Sequence, residues 1–312
     1  MNNQKNKKAI VVALAAIFIG VAIVFGAAFS FFSNDIDTKP EKSFAVINIK
    51  GTIQSGNEGY ERVGYDHSAT LKYIDQLIED ETNTGIFLDV NSGGGTVYES
   101  DETYLKLMEY KEKTGRPIHA FFNSTAASGA YYISCAADHI TINRNGWTGS
   151  IGVIISTTNL SGLYEKFGVE EILITSGPNK GMGSSGSEFT DEHRAIYQSL
   201  VDEAYDQFVG IVAQGRDFTE EYTRQIADGR IYSAQQALEN GLVDEIGFRD
   251  DALEYMEEVT ESEKYYTPLY TPTKWEQLMS EVSAVMPKSD MQVAAEMLAD
   301  SQKVVPMYLF VE

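Results

Sequence analysis

The sequence predicts an α/β domain with a parallel-rich sheet and a helical C-terminal part, preceded by one transmembrane helix. From about residue 44 to residue 175, short apolar segments alternate with segments of helical periodicity. After residue 190 the apolar residues follow helical spacing only. Alternating strands and helices are typical of parallel sheets with right-handed crossovers, so these two patterns define the predicted fold class.

The predicted transmembrane helix covers residues 9–32, which include no charged residue. About 20 apolar residues suffice to cross the hydrocarbon core of a bilayer. Three lysines precede this run within residues 1–8, and two aspartates follow it in a linker over residues 33–43. This charge bias predicts a single-pass cell-membrane protein with a cytoplasmic N-terminus and an extracytoplasmic body over residues 44–260.

A cleaved signal peptide is the alternative for the same segment. The small residues Ala27 and Ala28 would permit cleavage. However, the apolar run is longer than the core of about 7–15 residues that such peptides carry. We therefore expect an uncleaved anchor.

Composition excludes several classes of function. The net charge of −22 argues against nucleic-acid binding, which needs clustered lysine and arginine. Cys135 is the single cysteine, so no internal disulfide can form, and its apolar neighbours predict a small core side chain. The four histidines show no i, i+4 pair, and we predict no metal site.

The body divides into elements that the periodicity predicts. The predicted strands cover residues 44–49, 85–90, 117–122, 139–142, 151–155 and 171–175. The predicted helices cover residues 69–78, 97–112, 160–167, 191–213, 219–227, 234–239 and 250–258.

A tail over residues 261–312 differs in character from the body. It has two amphipathic helical patches, at 274–285 and 290–299, and an apolar, β-like end at 304–311. Such an end can pair with another chain, insert into a groove or pack on its own domain, and the sequence leaves these alternatives open.

The stretch 123–132, NSTAASGAYY, is the first candidate for chemistry. It places Ser128 among very small residues, directly before Gly129 and an apolar run that predicts the start of a helix. Small residues allow close approach of backbone and substrate, which suits a nucleophilic serine beside an oxyanion hole. A tight strand-to-helix packing junction is the alternative, because small residues are equally common there.

A glycine loop at 93–95 also follows a predicted strand and opens a predicted helix. It lacks the spacing of nucleotide-binding glycine motifs. Because two adjacent strand ends can deliver two N–H groups to one point, Gly95 and Gly129 are candidate oxyanion donors.

Two kinds of general base are possible for Ser128. His119, His139 and His193 could supply a histidine, although none lies in a supporting motif. A lysine is the other option, and it must be neutral, which a site free of carboxylates favours. Lys180 lies in the acid-free stretch 176–187. Ser150, in the stretch WTGS at 147–150, could hold such a lysine toward Ser128, unless this stretch is only a turn.

These motifs together resemble the SppA-type signal peptide peptidases, a family of serine proteases with a Ser-Lys dyad. The matching stretches follow in order and at the expected separations: STAASGAYYIS, TGSIGVI, SGPNKGMGS, RAIYQSLVDEAYDQFVGIVAQGR and DGRIYSAQQALENGLVDEIG. The resemblance covers about residues 44–248. One departure concerns the first glycine loop, where Gly93 stands in place of the family's proline and Thr96 in place of its last glycine.

The resemblance implies a ClpP/crotonase-like fold, a homo-oligomeric ring and a reaction that needs no cofactor. By matching position it implies Ser128 as nucleophile, Lys180 as general base and Ser150 as the residue that orients the lysine. It also implies Gly95 and Gly129 N–H groups as the oxyanion hole. The implied substrates are cleaved signal peptides and other unstructured peptides. Two alternatives remain: a non-catalytic peptide-binding relative, and a crotonase-type acyl-CoA enzyme with the same pair of N–H donors.

Overall fold

The computed structural model describes residues 42–55, 64–262, 265–266 and 307–309. The predicted anchor at 9–32 and the two helical patches of the tail lie outside these residues. Among the described helices, none combines the length and the apolar character that crossing a membrane requires.

The described elements follow the predicted alternation through the first half of the chain. The strands are β1 (Ser43–Lys50), β2 (Asn83–Ser92), β3 (Gly94–Thr96), β4 (Ile118–Ala127), β5 (His139–Ile142), β6 (Trp147–Gly149), β7 (Ile231–Ser233), β8 (Glu245–Ile246), β9 (Tyr265–Tyr266) and β10 (Met307–Leu309). The helices are α1 (His67–Glu79), α2 (Val97–Thr114), α3 (Gly129–Ser134), α4 (Ser161–Phe167), α5 (Asp191–Arg216), α6 (Glu220–Ile226), α7 (Ala234–Glu239) and α8 (Arg249–Thr260).

Most of the strands form one parallel-rich sheet. Its order within the described ranges is β7-β6-β4-β2-β1-β9, with β5 beside β4 and β8 beside β5. Every pair is parallel except β6 with β7. The mixed α/β class and the parallel-rich sheet are therefore confirmed.

The sheet buries both of its faces, as parallel sheets with helical crossovers do. In β1, Ala45, Ile47 and Ile49 belong to the larger core. Phe44 and Val46, on the opposite face, pack in a smaller cluster with residues of α8. The two-residue period of a strand thus divides one apolar segment between two cores.

Two predicted strands are wrong. Residues 171–175 form no strand, and all five side chains are exposed. Residues 151–155 also lie outside the strands, because the chain leaves the sheet after Gly149 (φ 87°) and Ser150 (φ 49°), where Ser150 N–H donates to the Arg230 carbonyl at 2.7 Å. The strand that does join the sheet is β6, directly before residues 151–155, where the sequence predicts only a turn between two strands.

Cys135 is buried next to α3, as predicted. The carbonyl oxygen and side chain of Cys135 lie against Gly215 of α5, where a Cβ atom would come within 2.5 Å of that oxygen. Burial raises the pKa of the Cys135 thiol to about 12. The residue is therefore an unreactive part of the core.

Candidate active site

Ser128 occupies the junction between β4 and α3. Its backbone has φ 56° and ψ −121°, a conformation that residues with a Cβ atom rarely adopt. The Ser128 carbonyl accepts from Tyr132 N–H at 2.9 Å, so the helix begins at once after the serine. A sharp, strained turn of this kind between a strand and a helix is how several hydrolases present a nucleophilic serine.

The Ser128 hydroxyl is buried and has no hydrogen-bond partner among the residues that the structure describes. A buried hydroxyl without a partner costs about 1–3 kcal/mol. Both the backbone strain and the unpaired hydroxyl therefore act against stability at one residue. Such costs concentrate at functional sites, where a substrate or a second catalytic group supplies the missing partner.

Strand pairing brings Ser150 next to Ser128. Ala127 pairs with Gly149 across β4 and β6, and Ser128 N–H donates to the Gly149 carbonyl at 2.8 Å. Gly149 itself cannot carry a side chain, because a Cβ atom would lie 2.6 Å from the Tyr232 ring. The backbone of Ser150 therefore lies directly beside that of the candidate nucleophile.

A cavity of about 570 Å³ opens at Ser150 and extends toward α5. Its lining includes two carboxylates, those of Asp202 and Asp228. Hydrogen bonds from Arg230 lower the pKa of the Asp228 carboxyl to about 2, so that group stays charged and paired. The cavity is thus polar at its outer end and adjoins Ser150 at its inner end.

The glycine loop is held in place on one edge by Ile53. Ile53 N–H donates to the Gly94 carbonyl and Thr96 N–H donates to the Ile53 carbonyl, both at 2.9 Å. Successive peptide groups of a strand point to opposite edges, so the N–H of Gly95 points away from Ile53. A Cβ atom at Gly95 would come within 1.9 Å of the Ile53 carbonyl oxygen, which explains why glycine stands there.

The N–H of Gly129 is the second candidate donor. Gly129 is the first residue of α3, and the first N–H groups of a helix have no acceptor within it. Helix α3 contacts β3, and Ser92 pairs with Ala126 across β2 and β4. Ser128, Gly95 and Gly129 therefore come from elements that meet at one end of the sheet.

The end of the tail pairs with the free edge of this glycine loop. Strand β10 runs antiparallel to β3, with Tyr308 opposite Gly95 and Leu309 opposite Gly94. Strand β10 also contacts α3, the helix that follows Ser128. Within the described residues of the tail, β10 therefore packs against the body of the same chain, at the candidate site.

Lys180 lies in a turn region over residues 176–187, and its side chain is exposed. Its N–H donates to the Gly177 carbonyl at 3.2 Å. Because the Ser128 hydroxyl has no described partner, the isolated chain does not join these two residues by a hydrogen bond. The structure thus brings together Ser128, Ser150, Gly95 and Gly129, and leaves Lys180 at the surface.

The three histidines that we considered as bases have other surroundings. His119 is buried in β4, where its Nε2 atom lies 3.0 Å from Thr141 Oγ1 and its ring lies 5.0 Å from that of His139. His193 forms part of the N-terminal cap of α5 with Thr190. None of them bonds to Ser128.

Comparison with known proteins identifies the family. The model of "Peptidase family S49" matches residues 110–263. The "Putative protease slr0021" of Synechocystis is 39% identical over 218 residues, which are 70% of this chain and 74% of that relative. The chain belongs to peptidase family S49. The resemblance to SppA-type peptidases is therefore confirmed, and the predicted enzyme class, a peptidase, is that of this family.

Other S49 relatives are similar over comparable lengths. The "Putative signal peptide peptidase SppA" of Enterococcus faecium is 42% identical over 215 residues, which are 68% of this chain and 62% of the relative. "Protease 4" of Haemophilus influenzae is 32% identical over 69% of this chain and 34% of the relative. The chain thus spans about three fifths of the first of these proteins and a third of the second.

One feature of the site has no counterpart in the sequence analysis. The sequence does not predict the pairing of Ile53 with Gly95, since residues 51–66 lie outside every predicted strand and helix. The only local signal was a single isoleucine among polar residues. Its burial depends on a partner 42 positions along the chain, which periodicity does not reveal.

Proposed function

We propose that this protein is a membrane-anchored serine endopeptidase that degrades cleaved signal peptides and other unstructured peptides. The observation that carries the proposal is Ser128: a strained strand-to-helix junction presents a buried hydroxyl without a described partner beside candidate oxyanion donors. Membership in peptidase family S49 supports the same reaction class.

The proposed reaction uses Ser128 as nucleophile and Lys180 as general base. Neutral Lys180 takes the hydroxyl proton as the Ser128 oxygen bonds to the scissile carbonyl carbon. The carbonyl oxygen takes the displaced electron pair and is stabilised by the N–H groups of Gly95 and Gly129. The carbon–nitrogen bond then breaks, and the leaving amine takes the proton from Lys180.

Hydrolysis of the acyl-enzyme completes the cycle. Lys180 accepts a proton from water, whose oxygen attacks the ester carbonyl, and returns that proton to the Ser128 oxygen. The Ser150 hydroxyl would accept a hydrogen bond from the lysine amine, or donate one to it, and would so orient the amine. No step calls for a metal or a cofactor.

Unstructured peptides are the substrate class that suits the edge of β3. An extended peptide can add to an open strand edge, where main-chain hydrogen bonds give affinity for many sequences. Strand β10 already pairs with β3 in this manner. A substrate in the same place would present a carbonyl to the Gly95 N–H, close to Ser128.

The proposed dyad requires Lys180 to be withdrawn from water. Residues of α4 and of the segment that follows it are not buried, and several are apolar: Leu163, Phe167, Val169, Ile172, Leu173 and Ile174. We call these six residues the 163–174 surface. A second copy of the chain packed on this surface would cover the adjoining lysine loop and favour the neutral amine. A homo-oligomeric ring is therefore part of the proposal.

The test compares Ser128→Ala and Lys180→Ala with the intact chain in detergent. Each variant should abolish cleavage of a short apolar peptide, followed by mass spectrometry of the products, with circular dichroism unchanged. Lys72→Ala is the matched control, because Lys72 is an exposed lysine of helix α1, outside the 163–174 surface. Retained cleavage in Lys180→Ala would refute the dyad, and retained cleavage in Ser128→Ala would refute the serine mechanism.

A further inference from the structure

A second cavity, of about 700 Å³, opens at the carboxyl ends of β1 and β5. It adjoins the point where the pairing of β2 with β4 becomes irregular, between Val90 and Ser92. It shares no lining residue with the cavity beside Ser150. The carboxyl ends of neighbouring parallel strands are the usual place for ligands in α/β sheets, so this cavity lies where a ligand would be expected.

Asp89 lies at the base of this cavity and is only 5% exposed. Asn123 Nδ2 donates to one carboxylate oxygen, Oδ1. The other oxygen, Oδ2, accepts from Arg249 Nε at 3.1 Å and lies 3.7 Å from Lys50 Nζ. Protein donors thus occupy both oxygens of the buried carboxylate, which holds two cations at the cavity wall.

Both cations keep donors that no described residue uses. Arg249 has only its Nε group bonded to Asp89, which leaves the two terminal nitrogens without an acceptor in the described part of the chain. The guanidinium carbon of Arg249 also lies over the Phe87 ring, 5.8 Å from the ring centroid. Lys50 lies beyond hydrogen-bond distance of Asp89, and its side chain is 48% exposed toward solvent.

Two amides of the cavity wall have their acceptor sides occupied as well. Asn91 Oδ1 accepts from Ser124 Oγ at 2.7 Å and from Thr125 N–H at 3.3 Å. Asn143 Oδ1 accepts from Asn145 N–H at 3.0 Å. Each amide therefore keeps its NH₂ group for another partner, and no described residue takes it.

The balance of charge and of donors points to an anion. Lys50 and Arg249 carry two positive charges against one negative charge on Asp89, in a chain of net charge −22. The terminal nitrogens of an arginine match the two oxygens of a carboxylate in a planar, bidentate pair. The two asparagine NH₂ groups add neutral donors around the same space.

We infer that this cavity binds a carboxylate group, which belongs to a small organic acid or to the free C-terminus of a peptide. Arg249 is the bidentate anchor, Lys50 supplies the second charge, and Asp89 holds both cations in place. The site goes beyond the proposed peptidase activity and does not depend on it, because none of its residues takes part in the proposed reaction.

The experiment measures the thermal unfolding midpoint of the full chain in detergent, with Ser128→Ala as background so that peptides stay intact. The probes are acetate, acetyl-dialanine with a free carboxylate, its C-terminal amide and inorganic phosphate, each with chloride added to constant ionic strength. A ligand that binds the folded state raises the midpoint in a saturable manner. We expect saturation with a carboxylate probe and none with the amide.

Substitutions test whether the rise of the unfolding midpoint comes from binding in this cavity. Lys50→Gln and Arg249→Gln should each weaken the apparent affinity by about tenfold or more, because each removes a charged hydrogen bond. Arg224→Gln is the matched control: it removes the same charge from an exposed arginine that pairs with Asp206 at 2.8 Å. Lys50 is exposed enough that its variant tests the site even if Arg249→Gln fails to fold.

The outcomes separate the alternatives. If acetate raises the unfolding midpoint in a saturable manner, a small organic acid is sufficient as the ligand. If only the peptide with a free carboxylate does so, the ligand is the C-terminus of a peptide. The inference is overturned if no carboxylate probe saturates, if the amide acts as well as the acid, or if both cavity variants respond like Arg224→Gln. A saturable effect of phosphate alone would also overturn the assignment to a carboxylate.

Discussion

At the scale of single residues, Ser128 combines two destabilising features. Its φ and ψ angles lie in a region that costs a residue with a Cβ atom about 1–3 kcal/mol. Its hydroxyl is buried without a described partner. The surrounding strands and the helix α3 hold this conformation in place, so the strain is a property that substitution can measure.

We predict that Ser128→Gly stabilises the folded chain by about 1 kcal/mol relative to Ser128→Ala, while both abolish cleavage. Glycine adopts positive φ freely, and this gain exceeds the entropy that glycine adds to the unfolded chain. Urea unfolding of the two variants gives the difference directly. Equal stability of the two would show that the strain relieved at residue 128 is no larger than the entropy that glycine adds to the unfolded chain.

His119 gives a prediction about pH. Burial, with a smaller contribution from His139, lowers the pKa of the His119 imidazole from 6.5 to about 3. Between these two values the unfolded chain binds a proton that the folded chain does not. Stability therefore falls as the pH drops below 6.5, by at most about 1.4 kcal/mol per pH unit.

Replacing His119 by glutamine removes this effect. Between pH 7.5 and pH 5.0, the free energy of unfolding of the unmodified chain should fall by about 2 kcal/mol more than that of His119→Gln. Urea unfolding at the two pH values measures both losses. Equal losses would mean that the imidazole gains a proton in the folded chain as readily as in the unfolded one.

At the scale of elements, β3 is a three-residue strand fixed on both edges. Ile53 holds one edge, and β10 pairs with the other. Ser92 fixes the first residue of β3, because Ser92 Oγ donates to the Gly51 carbonyl at 2.6 Å and accepts from Gly94 N–H at 3.1 Å. The candidate donor at Gly95 is thus positioned without the proline that SppA-type peptidases carry in the preceding loop.

Gly95→Ala should displace β3, because the new methyl group would meet the Ile53 backbone at 1.9 Å. We expect loss of cleavage and destabilisation of several kcal/mol, of the size that overpacking and backbone strain produce. Gly210→Ala, inside α5 and with no atom beyond the local helix backbone within 4 Å of the new methyl group, is the matched control. It should raise stability by about 0.5–1 kcal/mol. Similar urea unfolding midpoints for the two variants would contradict this account of Gly95.

The elements differ in how far the sequence predicts them. Helices such as α1 and α5 agree with their predicted positions within a few residues, because helical periodicity is local. The wrong strands at 151–155 and 171–175 have strand-like composition, but neither forms a strand in the described part of the chain, because a strand also needs a neighbour and composition does not reveal neighbours. For the same reason the sequence does not predict the pairing of β10 with β3, which are more than 200 residues apart. It leaves open whether the end of the tail pairs with another chain, inserts into a groove or packs on its own domain.

The candidate site shows the same limit. The order of small residues around Ser128 predicts a junction of strand and helix, which the structure has. The surroundings of Lys180 depend on what covers its loop, and neighbouring residues in the sequence do not determine that.

At the scale of the whole molecule, the tail occupies the edge that a substrate would use. Removing residues 304–312 should therefore increase kcat/KM for a short peptide several-fold, because β10 no longer competes. Removing only residues 310–312 keeps β10 and is the control. Peptide hydrolysis at a fixed enzyme concentration measures the effect, and unchanged activity after the longer deletion would contradict it.

The 163–174 surface gives the prediction for assembly. Ile174 is 96% exposed and Phe167 is 71% exposed, so Ile174→Asp should dissociate the proposed oligomer with little effect on the fold of one chain. Light scattering in detergent measures the mass, and peptide hydrolysis should fall with it. Val259→Asp, an exposed apolar residue of α8, is the control. An unchanged mass for Ile174→Asp would exclude this surface as the interface.

The buried thiol of Cys135 has a practical consequence for spectroscopy. With a pKa of about 12 it stays protonated near neutral pH, and it is the sole cysteine among 312 residues. A maleimide dye or a nitroxide should therefore attach only to a cysteine introduced on purpose, with no need to replace the native one. Two such labels, one beside β3 and one on the tail, would report by energy transfer or dipolar coupling whether β10 separates from β3.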